Sequence, residues 1–256
     1  MLAVVVLAAC TPATIPTQTT IQASSPAPQP TVSPTQTVSI ADLDNNAINI
    51  TDLRLDQPGP GSEVVSPLHL SAQIPPSPGV LRVELFGEDG RLLARHVFRA
   101  AEGQLELELV FDPTKPGENA RLALSLDDEF GRLQELTSTE IVLLAEGEDK
   151  LVAGPSPRSL AIESPQSGDS VDGGTLTIRG VVSGPAGSLN IQLITREGRI
   201  LDSIDLAGLT LEDEKKAFTS GSTYNLSAAA WVQVAVSFRE AGIITAFKSV
   251  EVWVIP

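Results

Sequence analysis

Thiols and imidazoles are nearly missing from this chain of 256 residues, which has one Cys and two His. A single cysteine excludes an internal disulfide, and so few soft ligands leave little from which to build a zinc or iron–sulfur site. No cofactor is expected. Aromatic residues make up only 4%, and 17 Lys and Arg face 32 Asp and Glu. The resulting formal net charge of -15 repels phosphate backbones and argues against nucleic acid as a partner. No apolar run approaches the roughly 20 residues of a membrane-spanning helix. With 20 Gly and 19 Pro the chain is rich in turn formers, which favours short strands over long helices.

What is present begins at the N-terminus. Leu2 to Ala9 is an unbroken run of apolar and small residues with the length of a signal-peptide core. It ends in Leu7-Ala8-Ala9-Cys10, which resembles the lipobox of bacterial lipoproteins, where the cysteine thiol receives a diacylglycerol. Residues 1–10 are therefore expected to be a lipoprotein signal peptide, with Cys10 as the membrane anchor and the rest of the chain outside the cytoplasm. Such peptides normally open with Lys or Arg, whereas Met1 is followed by Leu2, which predicts that translation starts upstream of Met1. From Thr11 to Ile40 no residue is charged, and 22 of 30 are Thr, Pro, Ser or Gln. Such a segment cannot bury a core, so residues 11–41 are expected to form a disordered, extended stalk.

The remainder repeats itself. Leu53 and Leu55 lead into Pro58, Gly61 and Val64, while Leu160 and Ile162 lead into Pro165, Gly168 and Val171, giving a shared P-x-x-G-x-x-V turn. Leu68, Leu81, Val83, Leu85 and Gly90-Arg91 then find counterparts 108 residues on, in Leu176, Leu189, Ile191, Leu193 and Gly198-Arg199. Further along, Leu122, Leu124 and Leu126 are matched with Val232, Val234 and Val236, and Val142 and Leu144 with Val252 and Val254. The chain reads as a tandem duplication.

Within each copy the apolar residues alternate with polar ones, as in Leu81 to Leu85 and Leu105 to Leu109. Alternation places apolar side chains on one face and charges on the other, the pattern of a half-buried antiparallel strand. Turn residues recur about every ten positions, and about seven strands per hundred residues predict a β-sandwich. The fold expected is all-β, with two tandem immunoglobulin-like sandwiches at 42–146 and 159–256 and a linker at 147–158. One helical turn is expected on the loop from Leu209 to Phe218, around the charged run Glu212 to Lys216.

The P-x-x-G-x-x-V entry, Ser66-Pro67 and the hairpin Asp89-Gly90-Arg91-Leu92-Leu93 resemble the immunoglobulin-like domain of bacterial spore-germination proteins and other surface lipoproteins. The resemblance covers about 48–145 and 159–256, with Gly173-Gly174 in place of the Ser-Pro in the second copy. It implies a cell-envelope module and brings no catalytic residues with it.

Neither histidine sits in a catalytic pattern. His69, between Leu68 and Leu70, falls on the polar face of its strand, and His96 follows a hairpin. The chain is read as non-enzymatic; a hydrolase would have to draw its acid and base from loop carboxylates such as Asp127, Glu129 or Glu212. Asp42, Asp44 and Asn46 supply alternating oxygens in the manner of a calcium loop, but the turn glycine is replaced by Ala47 and the final bidentate position by Leu53. They are weak calcium candidates, and Asp127 to Glu129 with Glu146 to Asp149 form another at a hairpin tip and the module junction. Trp231 shares a strand face with Gln233, and Trp253 with Glu251, so both indoles project from the polar side. Together they make a candidate platform for a sugar ring or a protein. The function expected is a lipid-anchored envelope protein acting as a spacer or as a binding and adhesion module, in contact with the membrane through Cys10 and with an envelope protein or polysaccharide. The alternative is an accessory subunit of an envelope assembly, such as a germination, enzyme or transport complex.

Overall fold

The computed structural model describes residues 53–154, 156, 158–209 and 215–256, together with the backbone of Val38–Asp42. Every regular element among the described residues is a strand. The first is β1 (Val38–Asp42). The first module contains β2 (Arg54–Gln57), β3 (Glu63–Val64), β4 (Leu68–Ile74), β5 (Val80–Gly87), β6 (Leu92–Arg99), β7 (Gly103–Leu109), β8 (Gly117–Asp127) and β9 (Leu133–Leu144). The second contains β10 (Ser159–Ser164), β11 (Ser170–Val171), β12 (Thr175–Ser183), β13 (Gly187–Thr195), β14 (Ile200–Leu209), β15 (Lys216–Thr223), β16 (Ala230–Glu240) and β17 (Ile243–Val254).

Each module is an immunoglobulin-like sandwich. In the first, β2-β4-β7 forms one sheet and β6-β5-β8-β9 the other, with β3 running parallel to β9. The second repeats this arrangement with β10-β12-β15 and β14-β13-β16-β17, and β11 runs parallel to β17. The alternating leucines fill the space between the sheets: Leu81, Val83, Leu85, Leu122, Leu124 and Leu126 are buried in the first core, and Leu189, Ile191, Leu193, Val234, Val236 and Phe238 in the second. Burying each such side chain contributes roughly 1.5–3 kcal/mol, and the intervening polar residues keep the opposite face wet.

The shared entry turn has a mechanical role. Gly61 and Gly168 adopt φ of +76° and +90°, a region that favours glycine, and their N–H groups bond to Glu140 O and Glu251 O, both at 2.8 Å. Each turn thereby docks the start of its module onto the last strand. Because Val64 pairs with Leu143 and Val171 with Val254, the last strands correspond at a separation of 111 residues. The sequence match of Val142 and Leu144 with Val252 and Val254 is one residue out of step, since Val142 and Leu144 are half-buried where Val252 and Val254 are fully buried. The match across β8 and β16 is two residues out, because Leu124 pairs with Val83 and Val236 with Ile191. A slip of two preserves the face and is invisible to alternation.

Two expectations about connections are corrected. The stretch read as stalk through residue 41 ends in β1, whose five residues pair antiparallel with β15 from Val38 opposite Ser220 to Asp42 opposite Lys216. An edge strand offers a row of unpaired N–H and C=O groups, and this one is capped by the chain's own segment. Of the span read as a helical turn, Leu209 ends β14 and Lys216 to Phe218 begin β15 as strand, while residues 210–214, including Glu212, lie outside the described residues. The linker is also bonded down: Lys150 N and Glu63 O (2.8 Å) and Glu63 N and Lys150 O (3.1 Å) form a bridge, and Val152 N donates to Ser62 Oγ at 2.9 Å.

The modules join edge to edge. Strand β17 pairs antiparallel with β9 through Ala246 opposite Thr137, Phe247 opposite Leu136 and Lys248 opposite Glu135. One ten-stranded sheet therefore runs through both sandwiches.

Candidate interaction surface at the module junction

Side chains at paired positions in a sheet share a face, so the continuous sheet gives the two modules a common outer surface. Around the strand pairing that surface is sewn together by polar groups. Gln233 Nε2 donates to Leu133 O at 3.0 Å and to Ser249 Oγ at 2.8 Å, Ser249 Oγ donates to Leu133 O at 3.1 Å, and Ser138 Oγ donates to Thr245 O at 2.9 Å. Lys248 and Glu135 form an ion pair across the joint, and Arg158 clasps Glu240 at 2.6 and 2.8 Å. A cleft of about 320 Å³ beside the joint is lined by Pro60, Gly61, Glu140, Arg158 and Pro185 among others.

Above this seam lies the tryptophan pair. Trp231 on β16 stands directly opposite Trp253 on β17, and the half-buried rings meet edge to face, with centroids 5.3 Å apart and planes at 61°. The hairpin between β13 and β14, closed by Gly198 at φ +82°, swings Arg196 over them. Its guanidinium lies 5.3 Å from the centre of Trp231 and 5.0 Å from that of Phe130, which belongs to the other module and is 58% exposed. Arg132 also lies 5.2 Å from the centre of Phe130. The result is a cation–ring stack in which Arg196 meets rings from both modules.

Glu251 fixes this stack. It accepts two bonds from Arg196, at 2.9 and 2.7 Å, and an ion pair from Arg132 at 2.9 Å. The Arg196 hydrogen bonds, helped by Arg132 against the cost of burial, hold the Glu251 carboxyl below its ordinary range. The hydrogen bonds to Glu251 raise Arg196, and against desolvation those to Asp128 and then Glu251 raise Arg132.

The structure sorts the remaining candidates. His69 is exposed and 3.4 Å from Glu108, and His96 is exposed on β6. Asp127 is held by Arg82, with one contact at 2.9 Å, and Asp128 accepts from the Phe130 and Arg132 amides at 2.9 Å each, which shapes the β8–β9 hairpin. Asp149 accepts from Val65 N at 2.7 Å. These carboxylates are committed to the fold. Asp42 is the last residue of β1, and Cys10, Asp44 and Asn46 lie outside the described residues. Among the described residues no group of acidic, His or Cys side chains has the arrangement of a metal site, and no helix is long and apolar enough to cross a membrane. The sequence singled out the two tryptophans but not Arg196, Phe130 or Arg132, which come from hairpins far apart in the chain.

No protein-family model matches the chain, and no characterised protein matches its sequence at a significant level. Among solved structures, the BSP domain of a biofilm-associated protein is similar at 9% identity and a TM-score of 0.24, over 79% of this chain and 29% of that one. The C-terminal domain of the Streptococcus agalactiae AgI/II polypeptide BspA is similar at 10% identity and 0.26, over 85% and 100%. Dimeric latent PorU from Porphyromonas gingivalis is similar at 13% and 0.34, over 80% and 20%. The chain thus spans less than a third of the first and the last of these. Similarities this low carry no argument about function.

Proposed function

We propose that the protein is a non-enzymatic, lipid-anchored component of a bacterial cell envelope whose fused immunoglobulin-like modules act as a binding or adhesion module. The observation that carries this reading is the β9–β17 joint. Modules that share a sheet lie side by side, so the folded body gains breadth instead of length. A spacer of tandem modules would gain its reach by linking them end to end. A broad, rigid sheet suits contact, and its outer face offers the Trp231, Trp253, Arg196 and Phe130 cluster. Indole faces stack on the C–H faces of sugars, and an adjacent guanidinium donates to hydroxyl groups, so an envelope polysaccharide is the ligand class this cluster favours. Anchorage through Cys10 would tether the face to the membrane.

Two measurements test this reading. Cys10→Ala should move the protein from the membrane fraction to the soluble fraction; unchanged partitioning would remove the anchor. Crosslinking in intact cells should recover envelope polysaccharide with the anchored chain. Recovery of a single protein complex in place of polysaccharide would favour the accessory-subunit reading.

A further inference from the structure

The duplication provides an internal control for sheet edges. Strands β7 and β15 occupy the same position in their modules, each pairing on its inner side with the equivalent strand, β4 or β12. In the second module the outer side of β15 is taken by β1. In the first module β7 pairs with β4 alone among the described residues. The difference shows in burial. Leu105 and Leu107 of β7 correspond through their registers to Phe218 and Ser220 of β15. Phe218 and Ser220 are 1% and 0% exposed, whereas Leu105 and Leu107 are only half-buried.

The outward-facing residues differ as well. Where β15 has Thr219 and Gly221, β7 has Glu106 and Glu108, both exposed. Glu108 lies near the His69 imidazole, and Glu106 accepts from Gln104 at 2.8 Å. Two carboxylates on an open edge repel a second β7. The chain's net charge of -15 adds to that discrimination against further copies of itself.

We propose that the outer edge of β7 is a strand-addition site for an extended segment of a partner protein that alternates apolar and basic side chains. The backbone of that segment would continue the three-stranded sheet. Its apolar residues would cover Leu105 and Leu107, and its Lys or Arg residues would lie opposite Glu106 and Glu108. This inference is independent of the anchor and of the tryptophan cluster.

The test uses the full chain and a labelled, end-capped peptide, Lys-Val-Lys-Val-Lys-Val-Lys. Two control peptides carry Glu in place of every Lys, or Pro in place of the central Val. The expected result is binding of the basic peptide with new hydrogen-exchange protection confined to 103–109. Affinity should fall about tenfold in Glu106→Lys/Glu108→Lys, as expected for two reversed cross-strand charge pairs. The charge-reversed chain should unfold at the same temperature as the parent, because both positions are exposed. Absence of protection in 103–109 at saturating peptide would overturn the proposal. So would equal binding of the proline peptide, because charge attraction without main-chain pairing would then explain the affinity.

Discussion

Glu251 of the second module meets Arg132 of the first at 2.9 Å while holding Arg196 of its own module at 2.7 Å. A single carboxylate therefore ties together two hairpins from different sandwiches, and the cation–ring stack depends on it. Because the folded state holds this carboxyl below its ordinary value of 4.5, its contribution to stability is complete above that value and fades as pH falls through the lower folded value. Glu251→Gln should lower the melting temperature by a constant amount between about pH 7 and about pH 5. The gap to the parent should close under more acid conditions. Thermal scans across pH check this, and a gap that persisted in acid would show that the loss is not one of charge.

The Lys248–Glu135 pair is the charged member of the β9–β17 joint, with side chains 17% and 7% exposed. Lys248→Glu would place two carboxylates opposite each other there. The expected cost is about 3–5 kcal/mol, the range for stranding a buried charge. The loss should appear as separation of one unfolding transition into two, followed by calorimetry, with an increase in maximum dimension by X-ray scattering. A single transition at the parent temperature would mean that the strand pairing holds without the ion pair.

Glycine is required at position 79 by close approach: a Cβ there would lie 1.5 Å from Asp127 O. Gly79→Ala must push the β8 terminus away and should destabilise the chain by about 3 kcal/mol or more. Gly221 has no neighbour within 4 Å of a Cβ and lies in β15, so Gly221→Ala should be neutral or slightly stabilising. Denaturant midpoints for the two variants give the comparison directly.

Arg196 covers one face of Trp231. In a Trp253→Phe background, where Trp231 is the sole indole, Arg196→Ala should increase acrylamide quenching and shift emission to the red. An envelope polysaccharide that stacks on the cluster should then reduce quenching in the parent and have less effect in Trp231→Ala. Unchanged quenching on removal of Arg196 would mean that the ring is shielded by the sheet alone.

The sandwiches were legible because their cores are written in alternation: every second residue from Leu81 to Leu85 is buried, as are their counterparts Leu189 to Leu193. The pairing of Trp231 with Trp253 followed from the same rule once β16 and β17 were adjacent. Alternation could not resolve the two-residue slip between Leu122 and its counterpart Val234, because period two repeats after two. Nor could it reveal the contact of β17 with β9, which joins residues more than 100 positions apart through Phe247 and Leu136. The charged run around Glu212 suggested helix on local propensity, whereas Lys216 to Phe218 extend as strand because β12 supplies their hydrogen-bond partners. Arg196 and Phe130 gave no local signal, since each sits on a hairpin tip whose surroundings are set by the joint.

That joint has a symmetry. At the separation of 111 residues that relates the last strands, Glu135 is equivalent to Ala246, Leu136 to Phe247 and Thr137 to Lys248. The observed pairs are Glu135 with Lys248, Leu136 with Phe247 and Thr137 with Ala246. Each outer pair is thus the image of the other, and the central pair is its own image, as across a two-fold axis through Leu136 and Phe247. This is the reciprocity of an isologous homodimer interface, here contained within one polypeptide. Covalent linkage removes the concentration dependence of such a dimer and allows its halves to diverge, so that one half carries the tryptophans and the other the acidic β7 edge.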